Sequence, residues 1–371
     1  MNANVAAPPL SRRRMRILFG SAHPHLPQMY GGAQSSTHEL VRRLRGRGHE
    51  VAVLSGLTGA GLVGVRGRIL LKLGRRGFVR DDTLGYPAYR AWHAEEAAAE
   101  VVRDFRADVA VFQSLRPVPL ARSIDRSRIR TFIYLRNVEP DDLGGPLGGL
   151  TDVGFIANSH FTARRFAETD GVAAHVVYPM IDADRYRVRS TRETVTFINP
   201  HPHKGVSVAL DVAERCADIP FVFVRGWGLE PEDEARLQSR LATLPNVTLR
   251  PSTRDMRTVY GTARIVLAPS QWEEAFGRIA AEAHVSGIPV VASAIGGLPE
   301  AVGPGGILVA PDAPTSDWVA AVRSLWHDDA TYAAASDAAL RHAARDDMDP
   351  ERQIDRLFDI LVGDVAAPMP G

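Results

Sequence analysis

The sequence predicts an α/β protein made of two doubly wound domains, and three observations carry that expectation. The chain has 371 residues, more than one hydrophobic core usually supports, so two domains of roughly 150–200 residues are expected. From Met15 onward, short β-branched or aliphatic runs alternate with longer amphipathic stretches, the rhythm of parallel strands joined by crossover helices. The rhythm occurs in two series, separated by the polar, turn-rich stretch 178–194, which reads as an interdomain linker.

Taken in order, residues 1–13 read as a disordered tail and 14–180 as the first domain. Its predicted strands are 16–21, 50–54, 108–112, 131–135, 153–157 and 175–178, with an Ala/Glu-rich helix over 92–105 before the third. Residues 181–345 form the second domain, with predicted strands at 195–198, 221–224, 247–249, 265–268, 289–292 and 307–309. The remainder, 346–371, ends in a helix whose apolar residues Ile354, Leu357, Phe358 and Leu361 have helical spacing, so it is expected to pack back on the first domain. One stretch departs from the background. Residues 61–82 interleave Arg66, Arg68, Lys72, Arg75, Arg76 and Arg80 with aliphatic side chains. Its internal glycines weaken any single helix, which leaves two expectations, a solvated mobile loop or contact with an anionic membrane or acceptor.

Composition bounds the function. Hydrophobic residues make up 45% and charged residues 23% of the chain, as in a globular protein with a sizeable core. Lys plus Arg number 44 against 43 Asp plus Glu, a balance that gives no reason to expect a nucleic-acid partner. A single cysteine, Cys216, rules out an internal disulfide and suits a reducing compartment. No signal peptide or membrane span is legible, so the expected location is cytoplasmic, or peripheral on the inner membrane face if 61–82 touches lipid.

The most informative segment is PSQWEEAFGRIAAEAHVSGIPVVASAIGGLPEAV, residues 269–302. It reads as a strand end, a loop closing on Phe276–Gly277, a helix, a strand, and a Gly-Gly turn into a further helix. A helix tip opened by glycine draws anions through its N–H groups and dipole. Carboxylates accept hydrogen bonds from vicinal hydroxyls and repel phosphate. Glu274 precedes the helix and Glu282 lies about 7.5 Å along it from Gly277. The two acids can therefore hold two polyols with a diphosphate between them.

This element resembles the E-x7-E motif of glycosyltransferase family four, retaining enzymes of the GT-B fold. Pro269-Ser270, Gly287-Ile-Pro-Val-Val and Gly296-Gly297-Leu-Pro-Glu300 match as well. The resemblance implies two Rossmann-like doubly wound domains facing a central cleft, the second gripping the donor. It implies that Glu274 contacts the donor sugar, that backbone near Phe276 and Gly277 meets sugar or phosphate, and that Glu282 holds the nucleotide ribose. In Asn199-Pro-His-Pro-His-Lys204-Gly205, Lys204 stands where the family places the lysine that neutralises the donor diphosphate. A preorganised cation stabilises that leaving group without a metal. Many members carry an Arg where this chain has Asn199, which stays in the donor-binding set. Arg225 or Arg278 could supply the second cation, Arg278 being favoured because it begins the phosphate-facing helix.

In the first domain, Tyr30-Gly31-Gly32-Ala33 resembles the family's N-terminal glycine loop, so Gly32 joins the donor-binding residues. The His often found after the strand at 131–135 is absent, and Arg136 and Asn137 stand there. They form the acceptor candidates together with His23 and His25, each histidine also readable as a packing residue. Retention in this family is assigned to front-face substitution, in which the leaving phosphate takes the acceptor's proton and no separate base is needed. Lys204 and Glu274 are then the catalytic pair, by leaving-group stabilisation and sugar positioning.

Gly59-Ala-Gly-Leu-Val-Gly64 fits a dinucleotide-loop pattern but follows the second strand. Asp182-Ala-Asp184 in the linker and Asp347-Met-Asp349 among the C-terminal helices are D-x-D triplets of the kind that arise by chance in an acid-rich chain, and His201-Pro-His203 has no thiolate or further histidine cluster to complete a zinc site. The resulting expectation is a hexosyltransferase that is retaining and metal-independent, with no cofactor and a UDP- or GDP-linked sugar as donor. Its acceptor is small-molecule, glycan or lipid-linked. The alternatives are a GT-B-like protein that binds a nucleotide sugar or glycan without transfer, and more remotely a sugar-nucleotide epimerase.

Overall fold

A computed structural model describes residues 14–363 and Val365, so the predicted tail 1–13 lies outside the described residues. The described residues divide into two compact units, one of residues 14–180 with 350–363 and the other of residues 181–349.

The first unit runs β1 (Arg16–Pro24), α1 (Gly32–Gly46), β2 (Glu50–Gly56), α2 (Gly61–Leu73), β3 (Val79–Asp81), β4 (Ala88–Ala91), α3 (Ala94–Phe105) and β5 (Val109–Gln113). It continues with α4 (Pro117–Ser123), β6 (Arg130–Leu135), α5 (Pro140–Leu143), β7 (Val153–Ala157), α6 (His160–Asp170) and β8 (Ala174–Val176). The strands form one sheet in the order β3-β4-β2-β1-β5-β6-β7-β8, parallel except where β3 meets β4. Ile17, Phe19, Val51, Val109 and Val111 are fully buried, the near-continuous apolar pattern of strands covered on both faces.

The second unit contains α7 (Ala183–Tyr186), β9 (Thr194–Ile198), α8 (Val206–Arg215), β10 (Phe221–Val224), α9 (Pro231–Leu241), β11 (Val247–Arg250), α10 (Arg257–Tyr260) and β12 (Ala263–Ala268). After these come α11 (Arg278–His284), β13 (Val290–Ser293), α12 (Leu298–Val302), β14 (Gly306–Val309), α13 (Thr315–His327) and α14 (Asp329–Ala343). Its all-parallel sheet has the order β11-β10-β9-β12-β13-β14, so the winding direction reverses between β9 and β12. Phe197 and Phe223 meet edge to face at 5.0 Å in its core, beside the fully buried Trp318.

The final helix, α15 (Pro350–Val362), belongs to the first unit. Ile354, Leu357, Ile360 and Leu361 enter that unit's core, each such burial contributing about 1.5–3 kcal/mol. Arg43 and Arg47 of α1 pair with Glu351 and Asp355 along its polar face.

Three features depart from the sequence reading. The stretch read as a mobile loop forms helix α2 over Gly61–Leu73, because Gly64 and Gly67 face inward and let it pack closely. Strands β3 and β4 were not predicted. The first is three residues long, and the second carries Arg90, whose charge hides a strand that is buried throughout. Arg90 is accommodated by an ion pair with Asp81 and a 2.7 Å bond to the Leu26 carbonyl. The stretch 178–194 is not wholly irregular, since Ala183–Tyr186 makes a helical turn capped by Asp182.

Candidate active site

In doubly wound sheets, ligands collect beyond the carboxyl ends of the strands where the winding reverses. In the second unit the loops that leave this point are 199–205, after β9, and 269–277, after β12. Gly205 (φ 75°) joins them. A Cβ there would lie 1.8 Å from the Pro269 carbonyl oxygen, so only glycine permits the approach. The Gln271 N–H bonds the His203 carbonyl at 2.9 Å. The two loops thereby bring Lys204 Nζ to 3.0 Å from Glu274 Oε1. Both side chains are mostly shielded, 16% and 13% exposed, so the pair interacts in a medium less polar than water. The Ser270 hydroxyl also donates to Glu274 Oε1.

The Gly-Gly turn before α12 supports this loop from below. Gly296 (φ 62°) lies so close to Glu274 that a Cβ would sit 2.6 Å from its backbone N and O, and the Gly297 N–H bonds the Glu274 carbonyl at 2.6 Å. Gly277 (φ 98°) precedes α11 with no side chain capping it and packs on Leu298. Phe276 is buried beside it. These glycines set the height and direction of the acidic loop.

Glu282 sits in a buried polar network. Its Oε1 accepts from Arg278 at 2.8 Å and its Oε2 from the Tyr260 hydroxyl at 3.0 Å, and Arg278 also donates to the Tyr186 hydroxyl at 2.8 Å. Burial first, then the Glu282 carboxylate, pushes the Tyr260 phenol well above its ordinary value, which keeps the proton it donates. The guanidinium of Arg278 is therefore aimed along its own helix at Glu282. Arg225, the other candidate cation, makes a two-pronged pair with Glu234 at 2.8 and 2.5 Å. Asn199 has a left-handed backbone (φ 66°), a conformation asparagine tolerates better than arginine, and its Oδ1 accepts from the Trp227 N–H at 2.8 Å.

An aromatic cluster that sequence reasoning missed surrounds the lysine. His203 stacks on Trp272 at 4.7 Å and on His201 at 5.0 Å, while Trp227 meets His201 and Trp272 edge-on. Lys204 Nζ lies 5.0 Å from the Trp227 ring centre and 5.1 Å from that of Trp272, within cation–π range. Two tryptophans on separate loops carry no shared periodicity, so no local pattern could have paired them. His201 and His203 stack on each other, and no group of three or more His, Cys, Asp or Glu among the described residues is arranged to hold a metal ion.

In the first unit, His23 and His25 lie at the end of β1 and line a small recess with Gln113 and Ser114 of the β5 end, again at a reversal of winding. His25 is buried and shares a 2.9 Å hydrogen bond with the Tyr86 hydroxyl. Burial, then Arg90 and His38, lowers its pKa to about 3, and burial lowers that of the half-buried His23. Arg136 stacks over Tyr134 at 4.1 Å and bonds the Ala33 carbonyl at 3.2 Å, which ties it to the first turn of α1. Asn137 bonds Asp142. Gly32 opens α1, a helix with no side-chain N-cap, and Gly31 before it is extended (φ −170°), a backbone any residue adopts.

Residues 30–185 match the family model described as Glycosyltransferase Family 4, and residues 192–328 match Glycosyl transferases group 1. Among curated proteins, the D-inositol 3-phosphate glycosyltransferase of Mycolicibacterium paratuberculosis is 33% identical over 214 residues, 51% of this chain and 48% of that one. That of Mycobacteroides abscessus is 35% identical over 196 residues, 47% and 43% of the two chains. The chain thus spans about half the length of the curated relatives it matches. Among solved structures, Anabaena HepE in complex with UDP and glucose superposes with a TM-score of 0.73 at 19% identity, over 94% of this chain and 99% of that one. A glycosyltransferase from Rickettsia africae gives 0.72 at 15% identity, over 95% and 100%. At these identities the likeness is one of fold, and the fold is GT-B.

Proposed function

This chain belongs to glycosyltransferase family four, and we propose that it transfers a hexose-type sugar from a UDP- or GDP-linked donor to an acceptor hydroxyl, with retention and without a metal. The observation that carries this reading is the Lys204–Glu274 pair at the winding reversal of the second sheet. An ammonium and a carboxylate 3.0 Å apart suit a ligand that brings a diphosphate to the first and sugar hydroxyls to the second. Donor binding then exchanges one ion pair for two complementary contacts. HepE, with its bound UDP and glucose, supports a nucleotide sugar as that ligand.

In the reaction, the bond from the anomeric carbon to the phosphate oxygen breaks and a bond to the acceptor oxygen forms on the same face. The acceptor's proton passes to the departing phosphate. Lys204 offsets the charge that gathers on the diphosphate, assisted by backbone N–H groups near Phe276 and Gly277. Glu274, steadied by Ser270, orients the sugar, a positioning contribution. Glu282 takes the ribose hydroxyls with its remaining lone pairs, and Tyr260 and Arg278 hold it in place. Asn199 acts by shaping the Trp227 loop, so Lys204 is the principal side-chain cation on the diphosphate. Within the first unit, we assign Gly32 to phosphate binding at the uncapped start of α1, and His23, His25, Arg136 and Asn137 to an acceptor subsite for a small-molecule, glycan or lipid-linked alcohol.

The test is a panel of UDP- and GDP-sugars with candidate acceptors, following nucleoside diphosphate release with EDTA present and the product's anomeric configuration by NMR. Release with retention supports the proposal. Binding without turnover on any acceptor favours the alternative, a nucleotide-sugar-binding protein, and turnover abolished by EDTA removes metal independence.

A further inference from the structure

Helix α2 is amphipathic in reverse. Leu62 and Leu73 are 89% and 80% exposed, and Val65, Ile69 and Leu70 are exposed with them. Positions 62, 65, 69 and 73 recur at helical spacing and make one stripe along the helix. The opposite face carries the buried Gly64 and Gly67. A Cβ on Gly64 would lie 2.4 Å from the Thr58 carbonyl oxygen, and one on Gly67 would lie 2.9 Å from a Leu57 methyl. The helix therefore docks through its glycines and turns its apolar side chains away from the protein. Such a contiguous apolar surface marks an interaction site.

Charge identifies the partner. Between Gly61 and Arg80 there are six basic residues and no acidic one. Arg76 pairs with Asp104 and Arg80 with Asp82, but Arg66, Arg68, Lys72 and Arg75 are exposed and make no ion pair among the described residues. A shallow groove of about 130 Å³ between α2 and β3 continues the surface, its apolar lining of Leu62, Val63, Leu70 and Val79 edged by Arg66, Arg80 and Asp81, the last paired with Arg90. With 13 residues the helix is too short to cross a bilayer, which takes about 20. A second copy of the chain seated on the stripe would set four unpaired cations against four more.

We propose that α2 is an interfacial helix that seats the first unit on a bilayer containing anionic lipid, its leucine stripe at the acyl boundary and Arg66, Arg68, Lys72 and Arg75 among the headgroups. The inference stands on α2 alone and does not depend on the transferase reading. If both hold, the acceptor is lipid-linked.

The experiment is co-sedimentation of the full chain with phosphatidylcholine vesicles, with and without phosphatidylglycerol, at about 0.1 M salt, where the screening length is about 10 Å. Binding is expected to the phosphatidylglycerol vesicles and to weaken as salt rises. Arg68→Gln/Lys72→Gln should lower the partition coefficient about 25-fold, at about fivefold per charge. Leu62→Ser/Leu73→Ser should abolish binding while leaving thermal unfolding unchanged, because both side chains are already in water. Three results would overturn the proposal: no sedimentation with either vesicle, equal sedimentation with both, or undiminished binding of the serine variant. A dimer in light scattering that the serine variant dissociates, without vesicle binding, would assign the stripe to a second copy instead.

Discussion

Replacing Lys204 with alanine separates a structural from a catalytic role for the ion pair. At 3.0 Å and an effective dielectric of about 20, the attraction to Glu274 is about 5.5 kcal/mol before desolvation is subtracted. Removing the lysine leaves a carboxylate, 13% exposed, with Ser270 as its hydrogen-bond donor, and orphaning a shielded charge costs about 3 kcal/mol. For a unit of this size that lowers the melting temperature by about 6–12 °C. Loss of the cation should also lower kcat by about 10²–10³-fold, as for other preorganised electrostatic groups. Lys204→Met/Glu274→Gln removes both charges and should melt near the wild type while staying inactive. The assays are differential scanning fluorimetry and nucleoside diphosphate release at saturating donor. If Lys204→Ala melts early yet keeps kcat within about threefold, under 1 kcal/mol of barrier, the lysine is a strut and the proposed leaving-group role fails.

Gly296→Ala should lower turnover at least tenfold with the protein still folded, because the new Cβ meets the Glu274 backbone in a left-handed conformation; unchanged kcat and KM would show that the acidic loop tolerates displacement. Tyr260→Phe deletes the donor to Glu282 Oε2, so stability should fall by about 1–2 kcal/mol and the donor KM should rise with kcat nearly unchanged, as steady-state kinetics would reveal. Burial first, then His342, lowers the pKa of His284 to about 3 from the ordinary 6.5. Its neutral form is the native one, so its contribution is complete above pH 6.5 and is lost as pH falls toward 3, at up to about 1.4 kcal/mol per pH unit. Urea unfolding of His284→Leu between pH 7 and 4.5 should therefore slope less steeply than the wild type, with His25 supplying part of the remainder. Parallel slopes would mean that His284 is already protonated in the native state.

The sequence alone determined the two-sheet plan and the elements that bring Lys204 and Glu274 to one place. The central strands are buried on both faces, so strands such as Phe221–Val224 and Val109–Gln113 read as short, mostly apolar runs between polar turns. The order of elements in 269–302 was legible because it is local, with strand end, glycine turn, helix and strand following one another. The last helix was equally plain, since its 3.6-residue apolar period needs no partner to be seen. Tertiary structure decided what depends on residues distant in the chain. Strand β4 hides behind Arg90 because only Asp81 and the Leu26 carbonyl make that burial tolerable. The close approach of Gly296 to Glu274 and the hydrogen bond from the Trp227 N–H to Asn199 exist only in the folded unit. The tryptophans beside Lys204 meet only once the loops after β9, β10 and β12 converge. Helix α2 was misjudged because glycine propensity counts entropy lost along the chain, whereas the close packing that Gly64 and Gly67 permit exists only in the folded unit.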